Sequence, residues 1–209
     1  MWIDLSKLPT QYITRSEMNI SKIDLSLIST PNDLYSIGGY NGQQHLKECE
    51  SFNIESKTWN LIASTNNNSY QPTSLFAYPS TIFIFGCNSS SIFEKLVICE
   101  NGIPSKSWQN MQISNTTKRG YGVAVQINSN EILIFGGVVA SFEEFIVYDQ
   151  LKNVFTKTNQ KFLNTFRFNA SKPRIVNSKI YVIPYLMPEK KVFKIDIKEL
   201  KYVSEPATF

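Results

Sequence analysis

Short apolar runs punctuate this chain, and they recur. "LYSIGGY" (Leu34–Tyr40) is matched by "IFIFGCN" (Ile82–Asn88), by "ILIFGGV" (Ile132–Val138) and more weakly by "IYVIPYL" (Ile180–Leu186). The first glycine position holds Gly38, Gly86, Gly136 and then Pro184, at steps of 48, 50 and 48 residues. Runs this short, rich in Ile, Val and Phe, predict strands rather than helices. Turn formers precede each one: "TPND" (Thr30–Asp33), "YPST" (Tyr78–Thr81), "NSN" (Asn128–Asn130) and "NSK" (Asn177–Lys179). Upstream of the turns lie further apolar segments, "KIDLSLIS" (Lys22–Ser29), "TSLFAY" (Thr73–Tyr78), "YGVAVQI" (Tyr121–Ile127) and "PRIV" (Pro173–Val176). Each pair reads as a hairpin.

A second hairpin follows in each unit. "SFNIESKTWNLI" (Ser51–Ile62), "IVYDQLKNVFTKT" (Ile146–Thr158) and "FKIDIKELKYVS" (Phe193–Ser204) align. Phe52 precedes Trp59 by 7 residues, as Tyr148 precedes Phe155 and Ile195 precedes Tyr202. The second unit, "LVICENGIPSKSW" (Leu96–Trp108), has a longer turn and also ends on Trp. The pattern predicts repeats of about 50 residues, each a four-stranded antiparallel sheet with strands a to d. The expected units are about 21–66, 67–113, 114–162 and 163–209. They are preceded by a segment, 1–20, whose "WIDLSKLPT" (Trp2–Thr10) is similar to a strand d.

An apolar strand running into Gly-Gly, then an aromatic–acid pair, then Trp, resembles the kelch motif. Gly38-Gly39 and Gly136-Gly137 carry the doublet, and Gly86-Cys87 keeps half of it. Tyr148-Asp149 is the aromatic–acid pair, with Phe52-Asn53 and Ile195-Asp196 as variants. Trp59 and Trp108 hold the last position, which Phe155 and Tyr202 take in the other units. The resemblance implies an all-β, kelch-type β-propeller, or part of one, of about four blades. Glycine at the end of strand b would permit positive φ or close backbone approach. The Trp or Phe of strand d would form an apolar plate between blades. Kelch rings usually have five to seven blades, so four units fit a small closed ring, an open arc, or a ring completed by a second chain.

Composition narrows the function. The net charge is +4 and the basic residues are scattered, which does not point to nucleic acid. No apolar run reaches the length of a membrane span, and the first residues lack the pattern of a secretory signal. Three cysteines, Cys49, Cys87 and Cys99, without a CxxC pair fit buried thiols in a reducing, cytoplasmic setting. No metal spacing, phosphate loop or Rossmann fingerprint occurs, and no cofactor is expected. Copper radical oxidases built on kelch-like propellers need a pair of His ligands. This chain has one His, His45, which excludes that set. Glu143 and Glu144 are adjacent in a strand-like run, so they point to opposite faces and make a poor acid–base pair. An enzyme with a central-channel site would need carboxylates, or Arg119 and Arg167, to converge there.

Binding remains. Antiparallel strand order puts the b–c and d–a loops on one face. The b–c loops carry Tyr40, His45, Phe93, Phe142, Tyr185 and Met187 near polar residues. Aromatics on loops over a rigid scaffold are the usual anatomy of a protein-binding face, unless the rings fold back onto the blade. The expectation is a non-catalytic protein–protein interaction module. The alternative is a structural subunit whose ring is completed by a partner chain or by self-association.

Overall fold

The computed structural model describes residues 16–87, 93–99, 102–111, 120–137, 144–161, 172–183, 191–199 and 202–206. These residues form four four-stranded antiparallel sheets, each with its strands in chain order. Blade 1 is β1 (Ser26–Ser29), β2 (Asp33–Tyr40), β3 (His45–Asn53) and β4 (Thr58–Ile62). Blade 2 is β5 (Ser74–Ala77), β6 (Thr81–Phe85), β7 (Phe93–Val97) and β8 (Gln109–Asn110). Blade 3 is β9 (Val123–Gln126), β10 (Glu131–Phe135), β11 (Glu144–Asp149) and β12 (Val154–Lys161). Blade 4 is β13 (Arg174–Val176), β14 (Lys179–Val182), β15 (Lys191–Asp196) and β16 (Tyr202–Pro206). The fourth unit, poorest in motif residues, forms the same sheet as the others. Trp2 lies outside the described residues.

Three apolar clusters join the blades in sequence. Ile28, Tyr35, Ile37 and Cys49 of blade 1 meet Ile82, Ile84, Leu96 and Trp108 of blade 2. Leu75, Phe83, Phe85 and Phe93 of blade 2 meet Ile132, Ile134 and Tyr148 of blade 3. Val125, Leu133, Phe135 and Phe145 of blade 3 meet Ile180, Val182, Phe193 and Ile195 of blade 4. Strand b records each blade's place. In β6 ("TIFIF") and β10 ("EILIF") both alternating sets are apolar, because both faces are covered. In β14 ("KIYV") one set is Ile180 and Val182 against blade 3, and the other is Lys179 and Tyr181. In β2, Tyr35 and Ile37 face blade 2, and the opposite set begins Leu34, Ser36.

The aromatic plates follow the same logic. Trp108 is 4% exposed between blades 1 and 2, and its indole Nε1 donates to Ala63 O at 2.9 Å. Phe155 sits between blades 2 and 3, with ring centroids 5.1 Å from Phe93 and 6.0 Å from Phe85. Trp59 occupies the same register and the same face of its blade as Trp108, but among the described residues no blade lies on that side of blade 1. It is only partly buried and packs on Phe52 at 5.2 Å. The expectation that every such ring lies between two blades therefore fails at Trp59.

The glycine doublet is required for two separate reasons. Gly38 has φ +58° and lies at a register shift between the Ile37–Cys49 and Gly39–Leu46 pairs, where Lys47 and Glu48 of β3 together oppose it in a β-bulge. A Cβ there would stand 2.0 Å from Ser69 O. Gly39 donates its N–H to Ser69 O at 2.8 Å, and its own Cβ would meet Ile23 O at 2.7 Å. The doublet is where the loop leaving blade 1 and the segment ahead of β1 both press on strand b.

Two predictions follow from these positions. Trp108→Ala is expected to lose about 3–5 kcal/mol in urea unfolding, and Trp59→Ala no more than about half of that. Equal losses would contradict the difference in cover. Gly38→Ala should destabilise by clearly more than the roughly 1–2 kcal/mol of a left-handed residue alone. Gly42→Ala, with φ +92° and nothing near its Cβ, should show only the conformational cost.

Candidate functional site

Among the described residues, the b–c loop of blade 1 and the d–a loop from blade 1 to blade 2 share one face, with Gly39 N–H donating to Ser69 O and Ser69 N–H to Leu46 O, and a backbone ladder pins the chain there. Just ahead of β1, β5 and β9 stands a non-glycine residue in the left-handed region: Asp24 (φ 53°), Gln71 (φ 53°) and Tyr121 (φ 61°). They are equivalent in the three repeats, lying 14, 15 and 15 residues before Gly38, Gly86 and Gly136. Gln71 N–H donates to Asp24 O at 3.1 Å, and Tyr121 N–H to Gln71 O at 3.2 Å. The unusual conformation thus passes a hydrogen bond from each blade to the one before. Such conformations persist where the surroundings hold them, and they gather at functional surfaces.

Beside the ladder the first strands converge. The Ser26 and Ser74 hydroxyls are hydrogen-bonded to each other. Thr73 Oγ1 accepts from Gly122 N–H at 2.9 Å. Lys172, ahead of β13, reaches from blade 4 with Nζ 3.4 Å from Ser26 Oγ.

The loop roots are held by buried carboxylates. Glu50 on β3 is fully buried, and its carboxylate accepts Asn19 N–H at 2.7 Å, Asn19 Nδ2 at 3.0 Å and Ile20 N–H at 3.2 Å. Lys22 Nζ pairs with it at 3.4 Å. Blade 2 repeats the device. Glu94 on β7 accepts Asn66 N–H at 2.9 Å, Asn66 Nδ2 at 3.1 Å and Asn67 Nδ2 at 3.2 Å. Asn19 Nδ2 also donates to Trp59 O, and Asn66 Nδ2 to Trp108 O, both at 3.2 Å. A buried carboxylate is tolerated because several donors converge on it.

On this base stands an aromatic cluster. Tyr40 ends β2, His45 begins β3 and Tyr70 lies in the loop leaving blade 1. His45 stacks on Tyr70 with centroids 4.4 Å apart and planes 7° apart. Tyr40 meets His45 at 5.7 Å and Tyr70 at 6.2 Å, both edge-on. Tyr40 donates its hydroxyl to Gly42 O at 2.8 Å, and Tyr70 donates its own to Asp24 Oδ2 at 3.0 Å. Partial burial, and then the Asp24 carboxylate accepting its proton, push the Tyr70 phenol up to about 12.

Of the six loop residues named from sequence, Tyr40 and His45 come together here. Phe93 is a correction: it is 5% exposed in the core between blades 2 and 3, because it opens β7 opposite Phe85. Phe142, Tyr185 and Met187 lie outside the described residues, as do Arg119, Arg167 and Glu143. Glu144 pairs with Lys157 at 2.8 Å. Tyr148 is buried and donates to Asn153 Oδ1 at 2.9 Å, while Asp149 Oδ1 accepts Leu151 and Lys152 N–H in the c–d turn. That pair is structural, at the opposite end of the blade. Cys49 and Cys87 are buried, and burial pushes the Cys49 thiol up to about 11; Cys99 is exposed, contrary to expectation. Sequence reasoning missed Asp24, Tyr70 and Tyr121. Asp24 and Tyr121 could have been found from their constant distance to the doublet.

A family model described as the Kelch motif matches residues 24–66. The matched interval opens on Asp24, contains the whole of blade 1 and ends on Asn66. Residues 24–66 are thus similar to a kelch repeat. Blades 2, 3 and 4 repeat its strand order, and the kelch doublet, bulge and strand d aromatic have the physical roles just described. No curated protein matches the chain. Kelch motifs generally build protein-interaction modules. Among the described residues no three His, Cys, Asp or Glu side chains gather as a metal site would need, and no helix is long and apolar enough to cross a membrane.

The Tyr70 environment is directly testable. The absorbance titration of the protein minus that of Tyr70→Phe should show a phenol ionising near 12 rather than about 10. Asp24→Asn should bring it down. The raised value favours the neutral phenol in the folded state. Its contribution to stability is therefore full below pH about 10 and is lost as pH rises towards 12.

Proposed function

We propose that the chain is a non-catalytic protein-interaction module that engages a partner protein through the loop face of its kelch blades. The observation that carries this is the cluster of Tyr40, His45 and Tyr70, mounted on the paired ends of β2 and β3 and anchored through Asp24. Aromatic rings held in fixed rotamers on a rigid base lose little entropy on binding, which makes them efficient anchors. His45 is exposed and Tyr40 and Tyr70 are half-buried, so each ring keeps surface to give up to a partner. The ladder beneath them keeps the face in one shape, favouring binding with little rearrangement. Three free thiols support a reducing compartment such as the cytoplasm as the place of action. Neither nucleic acid nor a membrane belongs to this reading.

A photo-crosslinking amino acid at Gln43, in the b–c loop beside the cluster, should capture a defined polypeptide in extracts of the native cells. The same probe at Glu55, in the c–d turn at the far end of blade 1, should not. Tyr40→Ala with His45→Ala should weaken the captured complex about tenfold or more, measured with the purified partner. Capture at Glu55 alone, or unaltered affinity in the double variant, would refute the loop face as the binding surface.

A further inference from the structure

One position of the first strand recurs in all four blades, and in each it makes contact with the next blade. Ser26 lies opposite Ile37 in β2, and Val123 opposite Phe135 in β10. The β5–β6 register continues to Thr73 opposite Phe85, and the β13–β14 register to Lys172 opposite Ile183. Ile37, Phe85, Phe135 and Ile183 each stand one residue before the first doublet position. The Ser26 hydroxyl is hydrogen-bonded to that of Ser74 in blade 2. Thr73 Oγ1 accepts the Gly122 N–H at the entry to blade 3. Val123 packs in the cluster shared with blade 4. Lys172 completes the circuit, because its Nζ stands 3.4 Å from Ser26 Oγ, back on blade 1.

A lysine is an unexpected residue in that position. Lysine stems ordinarily lie along a protein and carry the ammonium out to water. Lys172 does the reverse: the residue is exposed overall, yet its ammonium turns in to Ser26 and Ser74, which are 5% and 6% exposed. No carboxylate draws it there. Among the described residues none pairs with Lys172, and Asp24, two residues before Ser26, accepts the Tyr70 hydroxyl on its Oδ2. Burial pushes the ammonium down to about 8, with no negative charge beside it to hold it up. The three groups also have more donors than acceptors. The ammonium has three N–H bonds and gives one to Ser26. The two serines have two hydroxyl hydrogens and use one between them. The remaining donors meet no acceptor among the described residues, so an oxyanion is the ligand they fit. One ammonium and two neutral hydroxyls balance a single negative charge, whereas a doubly charged phosphate would keep a charge uncompensated in a partly buried place.

We propose that Lys172, Ser26 and Ser74 form a binding site for a small carboxylate, with one oxygen on the Lys172 ammonium and the other on the serine pair. The bound anion ties blade 4 to blades 1 and 2 at once, and so joins the last blade to the first without a second chain. The site is distinct from the cluster of Tyr40, His45 and Tyr70 and does not depend on that cluster's binding a partner.

The test follows the lysine Cε resonances of the full chain, labelled with 13C-lysine, with the Lys172 signal identified by its loss in Lys172→Arg. Sodium acetate is titrated against sodium chloride at equal ionic strength. Acetate is expected to shift the Lys172 signal saturably in the millimolar range, and chloride is not. Saturating acetate should raise the Lys172 pKa from about 8 by about one unit or more, since a bound anion favours the ammonium. It should also raise the unfolding temperature, because it binds the folded chain alone. Ser26→Ala with Ser74→Ala should weaken acetate about tenfold or more. An absent shift, or an equal one with chloride, overturns the proposal. Tighter binding of inorganic phosphate than of acetate overturns the carboxylate, and unaltered acetate affinity in the serine variant overturns the site. If that variant does not fold, the titrations of the unaltered chain with acetate, chloride and phosphate still decide.

Discussion

Everything in this fold depends on a sheet that cannot be stable by itself. A four-stranded blade has two faces and no interior, so each apolar face must find another blade. Strand b carries the demand most plainly. Ile82 and Ile84 look one way and Phe83 and Phe85 the other, and both sets are buried. A two-sided strand commits its blade to a neighbour on each side, and blades 2 and 3 obtain theirs from chain order alone. The aromatic of strand d then fills the wider outer gap between blades. Trp108 and Phe155 do so, and Trp59 lacks a blade on its side.

Stacking by apolar area alone would leave the blades free to slide, because that attraction has no direction. Two polar devices fix their alignment. The left-handed residues Asp24, Gln71 and Tyr121 join neighbouring blades by main-chain hydrogen bonds near the axis. The buried Glu50 and Glu94 seize the chain where it crosses the loop face farther out. The loops between these anchors inherit a rigid base, and the aromatic cluster is held where it is for that reason.

Most of the architecture was legible in the sequence, because it rests on period and on glycine. The repeat step, the hairpins and the doublet all follow from residue types that have few alternatives in those places. Even "IYVIPYL", with its doublet lost, kept enough alternation to form β14. The site was harder to see. Phe93 and Tyr40 both follow an apolar run and look alike in the sequence, yet one opens a strand facing blade 3 and the other ends a strand at the surface. Which face a ring joins depends on strand register, and the bulge at Gly38 shifts that register by an amount no pattern reveals. Tyr70 lies in an Asn-rich loop whose order comes from Asp24, 46 positions earlier in the chain. The buried role of Glu94 was equally hidden, since a lone glutamate in a strand reads as an exposed residue.

The carboxylate anchors bear on how such a chain can diversify. Asn66 and Asn67 bind Glu94 close to where the loop leaves blade 1, and Ser69 to Thr73 are tied again beside the axis. Strand ends and loop roots are thus fixed separately from the loop tips. Residues can be inserted, removed or exchanged at a tip such as Asn41–Gln44 without moving the frame below, since closing a longer loop costs little more than closing a short one. A lineage built on this frame can vary the surface its tips present while keeping one inherited core.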